Sequence, residues 1–183
     1  MHIGIFGLSG SGKTTLTRRL AAMHTDYTST SASHLLRMRG RTTTFRELAA
    51  KHLPANQDVL VEEYRRLREI TKNTIIELHA VIETSDSLYW VPASTLKNLE
   101  LDRIFFLKTD PNEISKRREQ DKDKERVHRS GAQLFRLQED TIIYLKQIYG
   151  EQRIQIVEER YALHTIHDFC LADGASPRSG PLP

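Results

Sequence analysis

Residues Gly7-Leu8-Ser9-Gly10-Ser11-Gly12-Lys13-Thr14 match a phosphate-binding loop at every fixed position of that pattern. The glycines remove the Cβ atoms that would keep backbone N–H groups from converging on phosphate oxygens. A helix starting there adds the positive end of its dipole. In this geometry Lys13 reaches the β and γ phosphates, and the Thr14 hydroxyl ligates magnesium. Gly7, Ser9, Gly10, Ser11, Gly12 and Thr15 complete the candidate phosphate contacts. The flanks agree: His2-Ile3-Gly4-Ile5-Phe6 reads as a buried strand and residues 15–23 as a helix. These residues imply binding of a nucleoside triphosphate.

A second candidate cluster is cationic. The formal net charge is +3, and residues 116–129 carry seven Lys/Arg against four acids, so the rest of the chain sums to zero. A duplex-binding protein spreads its cations over a wide face to neutralise many phosphates. One cationic segment suits a compact polyphosphate instead, which argues against a nucleic-acid partner. Arg117, Arg118, Arg126 and Arg129 are the candidate groups.

A third signal is Glu83, the acid that follows the apolar run Ala80-Val81-Ile82. A carboxylate at the end of such a strand organises Mg²⁺ and its water shell, because this ion keeps several waters. Leu107-Lys108-Thr109-Asp110 is the nearest echo of a guanine-specificity motif, but its Asp is better used as a helix cap, which argues against a GTPase switch. His164, His167 and Cys170 lie three apart on the last expected helix, yet a structural zinc site needs four ligands. They read as surface histidines and a packed, inert thiol.

The elements that must position these groups alternate. The chain has 183 residues, 38% of them hydrophobic, enough for one compact domain over 1–172. No apolar stretch approaches membrane-spanning length, and the first residues form a strand and loop, not a signal peptide. The single Cys170 rules out an intramolecular disulfide, which fits a cytoplasmic protein. Residues 173–183, rich in Gly, Pro and Ser, read as a disordered tail. Beyond the first helix, the pattern predicts a strand over 26–31 and short helices over 32–38 and 44–52. A long helix over 56–78 and a strand over 79–84 follow, then a short helix over 92–99 and a buried strand over 103–107. Asp110-Pro111-Asn112-Glu113 opens the next helix with a cap, a first-position proline and a capping box. A helix over 130–149, a strand over 153–157 and a helix over 160–171 complete the set. This alternation implies an α/β, doubly wound parallel sheet with helices on both faces and ligand sites at the carboxyl ends of its strands.

Together these residues resemble the nucleoside monophosphate kinases, most closely the archaeal-type adenylate kinases, over residues 1 to about 158. Beside the loop, the likeness rests on Phe45-Arg46-Glu47-Leu48, on His52-Leu53-Pro54-Ala55-Asn56-Gln57 and on the long helix that follows. It extends to Val81-Ile82-Glu83-Thr84, where the family has Asp-Thr-His, to Thr109-Asp110-Pro111-Asn112-Glu113-Ile114, and to Arg117-Arg118 with a charged lid. Ser33-His34-Leu35-Leu36-Arg37 is similar to the segment whose arginine holds the acceptor phosphate. The departures are Glu83 for Asp, Ser85 for His, and a shorter loop over 85–91.

The resemblance implies ATP on the phosphate-binding loop, with Lys13 and the lid arginines Arg117, Arg118, Arg126 and Arg129 as catalytic groups over about 117–130. It implies Thr14 and Glu83 around Mg²⁺. A nucleoside monophosphate, AMP by preference, would be held by Arg37 and Arg46 in an acceptor-binding insert over about 32–78. Two alternatives stay open: an adenylate kinase-like ATPase that serves as an assembly factor, and a kinase acting on a hydroxyl of a nucleic acid or small metabolite. An oligomer is also left open.

Overall fold

The computed structural model describes residues 1–41, 52–84, 87–121 and 127–175. The helix expected over 44–52 (except its last residue, His52), the site residues Arg46 and Arg126, and Ser85 lie outside the described residues, as does the chain beyond 175.

The first strand, β1 (His2–Phe6), lies at the centre of a five-stranded sheet. On one side it pairs with β3 (Thr74–Glu77), which in turn pairs with β2 (Thr28–Ser31). On the other it pairs with β6 (Arg103–Lys108), which pairs with β7 (Ile154–Glu158). All four pairings are parallel, so every strand points its carboxyl end to the same edge.

Both sheet faces are covered, which is why β1, β3 and β6 read as nearly continuous apolar runs. Ile3, Ile5, Ile75 and Phe105 pack with Leu16 and Leu20 of α1 (Lys13–Met23) and with Ala162 and Ile166 of α7 (Glu159–Ala175). Phe6, Ile76, Ile104 and Phe106 face the other way. They meet Leu60 and Tyr64 of α3 (Leu53–Ile70), Leu96 of α4 (Ala93–Asn98) and Leu145 of α6 (Gly131–Tyr149). Burying each large apolar side chain here contributes about 1.5–3 kcal/mol. The expected doubly wound sheet is the fold observed.

Local signals fix the helix ends near the catalytic edge. Asp110 Oδ1 accepts the backbone N–H of Asn112 at 2.8 Å and of Glu113 at 3.4 Å, starting α5 (Pro111–Gln120) with proline at its first position. Ser130 and Gln133 form a reciprocal capping box at the start of α6. The Ser31 hydroxyl caps α2 (Ala32–Met38).

Three expectations are corrected. The long helix does not reach residue 78: it ends at Ile70, Thr71 is extended, and Thr74–Glu77 forms β3. Leu60, Tyr64 and Leu67 do face the core, but Thr74 and Ile75 matched the helical spacing only by coincidence. Their β-branched side chains fit a strand buried on both faces, and sheet pairing decides the contest. The strand expected over 79–84 is not in the main sheet. It is β4 (Val81–Glu83), paired antiparallel with β5 (Leu88–Trp90) in a separate hairpin. Finally, α7 continues to Ala175, so helix replaces the first residues of the expected tail.

Candidate active site

The phosphate-binding loop joins the end of β1 to the start of α1 at the carboxyl edge of the sheet. Close approach explains its first glycine: a Cβ at Gly7 would lie 2.7 Å from Ser11 Oγ and 3.0 Å from the Leu107 carbonyl oxygen. Gly12, the residue before α1, has φ +92°, in the left-handed region that a side chain disfavours. The loop is pinned from β6, where the Thr109 hydroxyl donates to the Ser11 carbonyl at 2.9 Å. Thr109 is in turn held by the buried Gln138, whose side-chain amide bonds both its N–H and its carbonyl.

Lys13 is folded back onto its own loop. Its Nζ donates to the carbonyls of Gly7 at 2.7 Å and Leu8 at 2.9 Å, and the residue is only 6% exposed. The Ser11 hydroxyl is buried beside it without a hydrogen-bond partner. Thr14 and Thr15 are exposed on the first turn of α1.

The acid facing Thr14 is Glu77, not Glu83. Glu77 closes β3, the strand next to β1, and its Oε2 accepts the Thr14 hydroxyl proton at 2.9 Å. Its other oxygen accepts from the Thr17 hydroxyl. Glu83 lies on the β4–β5 hairpin, where it pairs with arginines instead. The sequence signal for Glu77 was present, an acid closing the run Thr74-Ile75-Ile76, but it was hidden by the helical spacing carried over from α3.

Two of the expected lid arginines converge on the loop. Arg118 Nε donates to the Ser9 carbonyl at 2.9 Å, and its Nη2 lies 2.7 Å from Glu83 Oε1. Arg117 Nη1 lies 2.7 Å from Glu159 Oε1, and a Cβ at Gly12 would be within 3.3 Å of both groups. Arg129, just before α6, reaches Glu83 at 3.2 Å. Glu159 escaped the sequence reading because a strand-to-helix junction acid has no motif of its own. Arg37 is exposed on the last turn of α2. The aromatics of the hairpin serve packing: Trp90 meets Tyr144 edge-on at 5.2 Å, and Tyr89 packs against the core. Cys170 is buried as expected, while His167 bonds His24 at 2.9 Å and is not a free surface group.

A protein-family model described as an AAA domain matches residues 6–134, more than half of the chain. The chain belongs to this family. A search of the curated proteins finds no match. Among solved structures, the family member's fold matches that of a shikimate kinase from Acinetobacter baumannii in complex with shikimate. That match has TM-score 0.65 and 16% identity, covering 96% of this chain and 95% of the other. A shikimate kinase from Bacteroides thetaiotaomicron matches at TM-score 0.60 and 14% identity, over 96% and 99% of the two chains. A sugar kinase from a Janibacter species matches at TM-score 0.52 and 20% identity, over 93% and 92%. The fold of this AAA-family chain is therefore that of the P-loop kinases.

Proposed function

We propose that this chain is a Mg²⁺- and ATP-dependent phosphotransferase acting on a small anionic acceptor, with a nucleoside monophosphate, AMP first, as the leading acceptor. The observation that carries it is the Thr14–Glu77 contact at the loop that Lys13, Arg117 and Arg118 surround. A hydroxyl and a carboxylate side by side at the start of α1 are the hard oxygen donors that suit Mg²⁺. When bound, the ion neutralises charge on the phosphates.

The chain's own groups then do the rest by position and charge. Lys13 exchanges its two loop carbonyls for phosphate oxygens. Arg117, Arg118 and Arg129, with Arg126 from outside the described residues, stabilise charge that spreads over the equatorial oxygens in the transition state. A lid over about 117–130 excludes water, which would otherwise become the acceptor. No residue need act as a covalent group. Arg37 and Arg46 are proposed to hold the acceptor phosphate.

The relocated acid supports the adenylate kinase-like reading. Glu77-Leu78-His79 carries an acid and a histidine two apart, the spacing of that family's Asp-Thr-His. A second reading, transfer to a hydroxyl of a small metabolite, draws on the shikimate and sugar kinases that share this fold. Among the described residues, no helix is long and apolar enough to cross a membrane; a cytoplasmic setting is proposed from the single cysteine of the chain.

The deciding experiment incubates the protein with MgATP and each ribo- and deoxyribonucleoside monophosphate, and separately with shikimate or gluconate. ADP and phosphorylated acceptor are quantified against ATP alone. AMP converted faster than ATP is hydrolysed alone carries the leading reading. Phosphorylation of shikimate or gluconate only carries the second. Inert acceptors with slow ATP hydrolysis would leave the assembly-ATPase function.

A further inference from the structure

Glu83 is a partly buried acid with two cations on it. Its side chain is 11% exposed, that of Arg118 7%, and that of Arg129 19%. Arg118 grips the carboxylate with both terminal nitrogens, Nη2 to Oε1 at 2.7 Å and Nη1 to Oε2 at 3.2 Å, while Arg129 Nε approaches Oε2 at 3.2 Å. The same Arg118 donates through Nε to the Ser9 carbonyl at 2.9 Å. Its aliphatic stem lies against Gly10, where a Cβ would come within 3.2 Å of Cγ. One carboxylate therefore ties the β4–β5 hairpin, α5 and the start of α6 to the phosphate-binding loop.

The geometry points to Glu83 as a positioning residue for phosphoryl transfer, holding Arg118 against the loop before nucleotide arrives, with Arg129 as a second cation on the same carboxylate; this rests on the phosphotransferase reading above. Two guanidiniums so close repel one another, and a single carboxylate between them leaves one net positive charge. Among the described residues, Arg118 gives three of its five N–H donors to Glu83 and Ser9, which leaves two for a phosphate. Among the described residues, Arg129 gives Nε–H to the same carboxylate. Arginine is rich in rotamers, so fixing it in advance removes an ordering cost from the transition state. Stripping one partner from a buried ion pair is strongly unfavourable. Arg118 thus keeps Glu83 and meets the phosphoryl group with the donors that remain. Glu83 itself touches no substrate.

The test compares the full chain with Glu83→Gln, Arg118→Met and the double variant, measuring MgATP affinity by calorimetry and kcat and KM with the best acceptor. Glu83→Gln keeps the size and one oxygen acceptor but removes the charge. The expected result is MgATP affinity within threefold of the unaltered chain and kcat at least tenfold lower. In the Arg118→Met background the same substitution should change kcat less than twofold, because its effect runs through Arg118. A purely structural role would lower the melting temperature in both backgrounds without this dependence. Glu83→Gln with kcat within twofold of the unaltered chain, or losses that multiply in the double variant, overturns the inference. Should Glu83→Gln not fold, Glu83→Met with Arg118→Met removes both partners together. That pair should match the kcat of Arg118→Met alone, and a further large loss overturns the inference. An unaltered chain that binds no MgATP sinks the phosphotransferase reading and this inference with it. Binding and turnover with an indifferent Glu83→Gln sink this inference alone.

Discussion

The Glu77 carboxylate accepts the Thr14 hydroxyl proton at 2.9 Å, across 63 residues of chain. The contact exists because β3 pairs in parallel with β1, with Ile5 opposite Glu77, so that the strand's last residue arrives where α1 begins. Strand pairing thus sets an acid and a hydroxyl side by side.

Substituting Glu77→Gln keeps a hydrogen-bond acceptor for Thr14 and Thr17 but removes the negative charge. The magnesium concentration for half-maximal turnover should rise severalfold, with partial rescue at high magnesium. A magnesium titration of initial rates checks this. The same titration on Glu83→Gln should leave the midpoint where it is, which separates the two acids.

Lys13→Met should lower turnover by about a hundredfold or more, the effect of losing roughly 3 kcal/mol of transition-state stabilisation. The fold should change little in stability, because the Lys13 ammonium donates to the Gly7 and Leu8 carbonyls of its own turn. Single-turnover rates and a melting curve give both numbers. Unchanged turnover would remove the loop from the mechanism.

Tyr64 tests the far end of the sheet. Its hydroxyl is buried and 2.7 Å from Thr74 Oγ1, which also lies 3.0 Å from His2 Nδ1. Burial pushes the phenol pKa up to about 12, so the group is a neutral partner at every working pH. Tyr64→Phe should cost about 1 kcal/mol, because Thr74 keeps His2, and this corresponds to a melting shift of roughly 2–4 °C. Thermal unfolding measures it, and turnover should not move.

His24 sets a pH limit on stability. It is buried, with Nε2 2.9 Å from His167 Nδ1. Burial first, and then His167, hold its pKa below the usual 6.5, against the opposing pull of Asp26. The unfolded chain therefore takes up the proton first as pH falls. Stability is full above 6.5 and is lost as pH drops from there toward the lower folded value. His2 is shifted the same way, by burial and then Arg68, and adds to the slope. Urea midpoints at pH 7.5 and 5.5 should fall for the unaltered chain and fall less for His24→Gln. Equal losses in both would show that His24 is not the group responsible.

The short-range features were legible in the sequence. The loop from Gly7 to Thr14, the Asp110 cap with Pro111, the Ser130–Gln133 box and the apolar runs of β1 and β6 each depend on neighbours within a few residues. Spacing and side-chain chemistry determine such elements, and the alternation of strands and helices then implies the doubly wound sheet. Tertiary structure alone decided which acid faces Thr14. Residues 71–78 carry spacing that fits a helix and β-branched residues that fit a strand, and only pairing with β1 and β2 settles them as β3. Once that strand forms, Glu77 takes the place beside α1, and Glu83, six residues on, is carried onto a hairpin against Arg118 and Arg129. Local preference on such a segment is worth tenths of a kcal/mol to about 1 kcal/mol per residue, whereas burying Ile75 and Ile76 on two faces contributes several, so long-range packing wins.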